Sequence, residues 1–148
     1  MDMGQLRSTA YHEAGHAIVG WALKLRIYRL RIGVQGDAGK GAADMEQNDA
    51  LSLVDRIAIC YGGIAAQAML RLETHDLAGM MDENCVRKLL GDEHEDSDED
   101  LKLRDAGFDR ARSLLELHRQ PLDRIAAALS STLTLEQPDV DRLLGPCF

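Results

Sequence analysis

Aromatic residues are scarce in this 148-residue sequence: two Phe, three Tyr and one Trp make up 4% of it. A core with so few rings must be built from Leu, Ile, Val, Ala and Met, which favours helices over a β-sandwich. Basic residues are also in deficit. Seventeen Lys and Arg stand against 25 Asp and Glu, giving a net charge of −8 and a pI near 5.0. Neutralising phosphates takes clustered Lys and Arg, so this balance argues against a nucleic-acid partner. Long apolar runs are missing. The longest mostly apolar stretch, Ile57 to Leu70, is glycine-interrupted and shorter than the roughly 20 residues of a membrane span. The opening MDMGQLRSTAYHEAGH has no secretory apolar segment. Cys60, Cys85 and Cys147 are odd in number, far apart and without a CxxC pair. They read as neither a disulfide framework nor a zinc knuckle, and they suit a reducing cytoplasm.

What remains is ordinary globular composition, 45% hydrophobic and 28% charged, at a length that suits one domain over 1–148. Apolar residues at Ala10, Ala14, Ala17, Ile18, Trp21 and Leu25 fall at helical spacing, predicting a helix from about Leu6 to Leu25. Tyr28, Leu30, Ile32 and Val34 alternate with Arg29, Arg31, Gly33 and Gln35, the pattern of a half-buried strand. Gly36 to Gly41 reads as a turn, and Ala42 to Met45 as a short returning strand.

A second helix is expected from about Ala50 to Leu72, capped by Asn48 or Asp49. Its Gly62-Gly63 pair implies close helix–helix approach or a local break. A shorter helix follows over Leu77 to Leu90. The run DEHEDSDED, Asp92 to Asp100, holds seven carboxylates in nine positions and reads as a solvated loop. Ser97 then sits where an N-cap belongs, starting a long helix to about His118. Pro121 opens another helix, and Pro138 precedes a last turn, Val140 to Leu144. The fold class is mainly α, with a small β-hairpin. Trp21, Met69, Met80 and Met81 read as core or gap-filling residues.

The chemistry lies at His12-Glu13-Ala14-Gly15-His16, an HExxH motif. Residues four apart on a helix share a face, so both imidazoles can reach one Zn²⁺. Glu13 falls beside the metal, placed to take a proton from a water that the metal has acidified. With only five His in the chain, a chance match is expected about 0.01 times. A catalytic zinc needs a third protein ligand. The HExxHxxGxxH pattern would put His at position 22, which is Ala22. On chemistry alone His75, His94, Glu95, Asp98 and Asp100 are all candidates.

TAYHEAGHA, Thr9 to Ala17, resembles the signature of the FtsH-type, AAA-linked zinc metalloproteases. DRIAICYGGIAAQAM, Asp55 to Met69, is similar to that family's second helix, where a Gly-Gly pair precedes an Ala-rich stretch. SDEDL, Ser97 to Leu101, resembles the segment supplying the family's third ligand, an Asp before a Leu, and so implies that role for Asp100. The tail, with Thr134-Leu135 followed by an acidic stretch and Leu-Leu, is similar more loosely. The resemblance implies a helical zinc-peptidase domain with His12, His16 and Asp100 on the metal and Glu13 as general base.

The departures are specific. Gln67-Ala68 stands where the family has acidic residues, and the segment from Leu72 to Ser97 is longer and more acidic than the resemblance implies. Gly39-Lys40 has Val34 where a P-loop needs glycine, and Gly41 where it needs Ser or Thr. The expectation is therefore a cytoplasmic zinc endopeptidase domain without the ATPase part. It would act on peptides or unfolded protein, alone or with substrate delivered by a separate partner or ATPase, and it could form oligomers. Strand Tyr28 to Val34 could hold an extended substrate beside the metal or be an ordinary edge strand blunted by Arg29 and Arg31. The alternative function is a non-catalytic zinc-binding or interaction module that keeps the fold.

Overall fold

The computed structural model describes residues 2–33, 41–74, 76–91 and 97–145. In chain order it runs α1 (Met3–Ala22), β1 (Ile27–Ile32), β2 (Gly41–Met45), α2 (Leu53–Met69), α3 (Asp76–Leu90), α4 (Asp98–Leu117), α5 (Arg119–Thr132), β3 (Thr134–Glu136) and α6 (Gln137–Leu144). The protein is mainly helical, with a small antiparallel sheet in the order β2-β1-β3. The turn expected over Gly36 to Gly41 lies largely outside the described residues, as do His75, His94, Glu95 and Cys147.

The starts of α1, α2 and α4 each have a local cause. Asp2 accepts from the Gln5 backbone N–H at 2.8 Å while the Gln5 side chain takes the Asp2 N–H, a capping box that opens α1. Ser52, rather than Asn48 or Asp49, caps α2 through the Asp55 N–H. Asn48 instead closes a turn with the N–H of Ala50. Ser97 caps α4 through the N–H of Asp100, as its position in the sequence predicts.

The main core joins α1, α2, α4 and α5 with the inner face of the sheet. Ala10, Ala14, Ala17 and Ile18 of α1 are fully buried, as are Ala65, Leu115, Ile125 and Leu129. The Gly pair on α2 marks a close crossing. A methyl on Gly15 would overlap the carbonyl oxygen of Gly62, and one on Gly62 would come within 2.7 Å of the carbonyl oxygen of Gly15. Small residues let the two backbones touch, so α2 continues unbroken through Gly62-Gly63.

The sheet departs from strict alternation. A register shift between Ile27 and Arg29 puts two residues where one belongs, so Ile27 and Leu30 are buried while Tyr28 is 43% exposed. The expected hairpin gains a third strand, because β3 pairs Leu135 with Leu30. Met80 and Met81 are 63% and 58% exposed rather than core.

Cys60 and Cys85, expected to be unpaired, are joined by a disulfide with Cα atoms 6.0 Å apart. Their 25-residue separation hides the contact, which the packing of α3 against α2 creates. Among the described residues no helix is long and apolar enough to cross a membrane.

Candidate metal centre

His12, Glu13 and His16 lie on the inner side of α1, where they interrupt its alanine face: His12 is 3% exposed and Glu13 6%. Gly63 makes room for the His12 ring, since a methyl there would sit 2.6 Å from Nε2. Each imidazole is aimed by its outer nitrogen. His16 Nδ1 lies 2.8 Å from the carbonyl oxygen of Ile59, which can only accept, so Nδ1 carries the proton there.

His12 Nδ1 lies 2.8 Å from Gln67 Oε1. The Gln67 amide has no freedom to flip, because its nitrogen donates to the carbonyl oxygen of Ser8 at 3.1 Å and to Ser8 Oγ at 2.9 Å. Gln67 therefore accepts from His12. In the neutral imidazoles both Nε2 lone pairs then point inward, 3.2 Å apart.

The third group facing them comes from α3. Asp82 Oδ2 is 3.0 Å from His12 Nε2, and Oδ1 is 3.3 Å from His16 Nε2. His12, His16 and Asp82 are the metal-competent group found among the described residues. Asp100 is not part of it. Asp100 sits in the first turn of α4, 5% exposed, with its backbone on the Ser97 cap. The Asp-Leu pair suggested Asp100, whereas the packing of α3 delivers Asp82. One sequence signal could have found it. Asp82 is four residues before Val86, which is buried, so it is a carboxylate on that helix's inward stripe with no base beside it.

Three acceptors converging on one point need a cation between them. A tetrahedral ion with bonds of about 2.0–2.1 Å holds its ligands roughly 3.3 Å apart, which matches the spacings here. Asp82 Oδ2 is buried against His12 Nε2, which has no proton to give it while Nδ1 carries one, a cost that a metal at this point would remove. The donor set thus fits zinc. A proton can serve in its place. Burial alone would lower the His16 pKa, but the hydrogen bond and charge of Asp82, with Glu13 and the Ile59 carbonyl, outweigh it and raise the value to about 9. Burial alone would raise the Asp82 carboxyl, and the facing His12 and His16 hold it below its usual range instead.

Glu13 neighbours His12 on α1 and is buried beside it. Burial raises its carboxyl pKa, against the lowering effect of His16 and His12. Gly41, the first residue of β2, lies against it, and a methyl on Gly41 would come within 2.6 Å of Glu13 Cγ. His12, Glu13, His16 and Asp82 all open onto a cleft of ≈ 1450 Å³ that also meets Arg31 and Arg71.

Comparison with known proteins finds distant relatives. The ATP-dependent zinc metalloprotease FTSH 11, chloroplastic/mitochondrial, of Arabidopsis thaliana is 30% identical over 170 residues, covering 93% of this chain and 21% of that protein. The ATP-dependent zinc metalloprotease FtsH of Borreliella burgdorferi is 37% identical over 70 residues, covering 43% of this chain and 11% of that protein. The chain is distantly similar to the FtsH zinc metalloproteases. It spans about a fifth of the length of the first relative and about a tenth of the second. No protein-family model matches it.

Proposed function

We propose that this chain is a zinc-dependent endopeptidase domain in which His12, His16 and Asp82 hold the metal and Glu13 is the general base. The observation that carries the reading is the convergence of three lone-pair donors at tetrahedral ligand spacing beside a buried carboxylate that holds no metal position of its own. Asp82 takes the place that the resemblance gives Asp100. Bound zinc would supply Lewis-acid polarisation of the scissile carbonyl and acidify the attacking water.

The chain's own residues do the rest. Glu13 accepts the proton of the attacking water and passes it to the leaving amine nitrogen. Its raised pKa brings it closer to the working range of a group that must both take and release a proton. Gln67 and the Ile59 carbonyl keep both Nε2 atoms directed at the site.

Substrate would lie along β2 rather than β1. Strand β1 is central, hydrogen-bonded to β2 on one side and β3 on the other, so its backbone is already paired. The outer edge of β2 faces no strand among the described residues, and its first residue touches Glu13. An extended peptide added there would pass its carbonyls beside the general base, with affinity from backbone hydrogen bonds and little dependence on sequence. That suits unfolded protein or peptides, presented directly or by a partner such as an ATPase.

The test is cleavage of an unfolded protein by zinc-loaded wild type, compared with Glu13→Gln and with a chelated sample. Wild type should cleave, and Glu13→Gln should keep its zinc while losing at least about 100-fold in rate. Bound zinc with no cleavage of any unfolded substrate would instead favour a zinc-binding module without catalysis.

A further inference from the structure

The geometry points to Cys60 and Cys85 as positioning residues for the metal centre: their disulfide braces α3 so that Asp82 meets His12 and His16, which makes metal binding depend on thiol redox state. This rests on the reading of His12, His16 and Asp82 as the ligands. Cys85 follows Asp82 by three residues on α3, one helical turn away. Cys60 follows Ile59, whose carbonyl aims His16. The bond therefore ties the backbone beside one ligand to the backbone that orients another.

The disulfide acts on a helix that lies outside the main core. Among the described residues the main core takes nothing from α3, and the helix docks on a satellite cluster of Ile57, Cys60 and Tyr61 through Val86, with Leu89 and Leu90 packed against it. Glu83 adds polar contacts with Tyr61 of α2 and Arg104 of α4. Against this, while His12 Nε2 carries no proton, Asp82 Oδ2 is buried 3.0 Å from it with no donor, and that desolvation favours withdrawal of the carboxylate into water. A covalent brace on the same turn opposes the withdrawal.

Cys85 is exposed, and both cysteines line the cleft, so a small thiol can reach the bond. In the closing step Cys60 and Cys85 lose two electrons and two protons to glutathione disulfide, which leaves as two glutathione thiols. Reduction runs the exchange backwards through a mixed disulfide.

The experiment measures zinc affinity by competition with a chromophoric chelator, alongside a count of free thiols. Wild type equilibrated with glutathione disulfide should show one free thiol of the three cysteines and bind zinc tightly. Treatment with a phosphine reductant should expose three thiols and weaken zinc binding on the order of 10- to 100-fold, with recovery on reoxidation. The Cys60→Ser/Cys85→Ser double variant should match reduced wild type and ignore the reductant. Should that variant fail to fold, the reduction and reoxidation cycle on wild type still decides the matter. Equal affinity in both redox states, tighter binding on reduction, or three free thiols under oxidant would each overturn the proposal. If oxidised wild type binds no zinc, the ligand reading itself fails.

Discussion

The two halves of the metal centre are built to different standards. His12, Glu13 and His16 ride on α1, whose alanines are fully buried in the main core and whose backbone touches α2 at Gly15 and Gly62. Asp82 rides on α3, which docks through a small satellite cluster, a disulfide and the contacts of Glu83. The rigid half orients its histidines with two outer hydrogen bonds, whereas the position of Asp82 depends on how one peripheral helix is held. A site of this kind keeps its histidines in register even when its carboxylate is absent, so perturbations of the two halves should separate in the laboratory.

The sharpest break is in the rigid half. Gly15→Ala forces a methyl into the carbonyl of Gly62 and to 2.8 Å from Ala66 Cβ, both on a packed helix that cannot give way. The expected loss is about 3 kcal/mol of folding stability, read by denaturant unfolding, with zinc binding lost as a consequence. A variant as stable as wild type would mean that the helices cross less tightly than described.

A gentler change separates orientation from folding. Gln67→Leu keeps the volume but leaves the Nδ1 proton of His12 without an acceptor. Zinc affinity should fall on the order of 10- to 100-fold in protein that is still folded, measured by chelator competition. Unchanged affinity would show that the amide is merely a packed core group.

The smallest effect is a pH dependence in the metal-free protein. The folded His16 pKa of about 9 lies above the unfolded 6.5, so the His16–Asp82 contact contributes fully below pH 6.5 and is lost as pH rises through 9. The Asp82 carboxyl is shifted downward, so its share is present above the ordinary carboxylate range and lost as pH falls through its depressed folded value. Melting temperatures of chelated wild type should therefore decline between about pH 6.5 and 9, and Asp82→Asn should flatten that limb. A decline of equal slope in the variant would assign the titration elsewhere.

The same contrast governs what could be read from the sequence. Local chemistry was legible: the HExxH spacing and the Ser97 cap each follow from residues within one or two turns, whereas the Gly62-Gly63 pair left close approach and a local break open until Gly15 was seen opposite it. The elements formed by α1, β2, α3 and α4 fall close to their expected ranges for the same reason. The approach of Asp82 to the two histidines, the disulfide and β3 depend on packing between distant segments, which no local period encodes. Tyr28 shows the limit within a single strand. Its alternation with Arg29 predicted an inward ring, and one extra residue in the register turned it outward. Gln67 was visible as a departure from an acidic pattern, but its role needed the facing His12 and Ser8 to be seen.

The central claim is that Asp82 completes the metal centre. Zinc affinity of Asp82→Ala and Asp100→Ala, measured side by side by chelator competition with folding checked by circular dichroism, tests it directly. Asp82→Ala should bind zinc on the order of 100-fold more weakly than wild type, while Asp100→Ala stays within about threefold. Loss of zinc in Asp100→Ala with retention in Asp82→Ala would contradict the assignment.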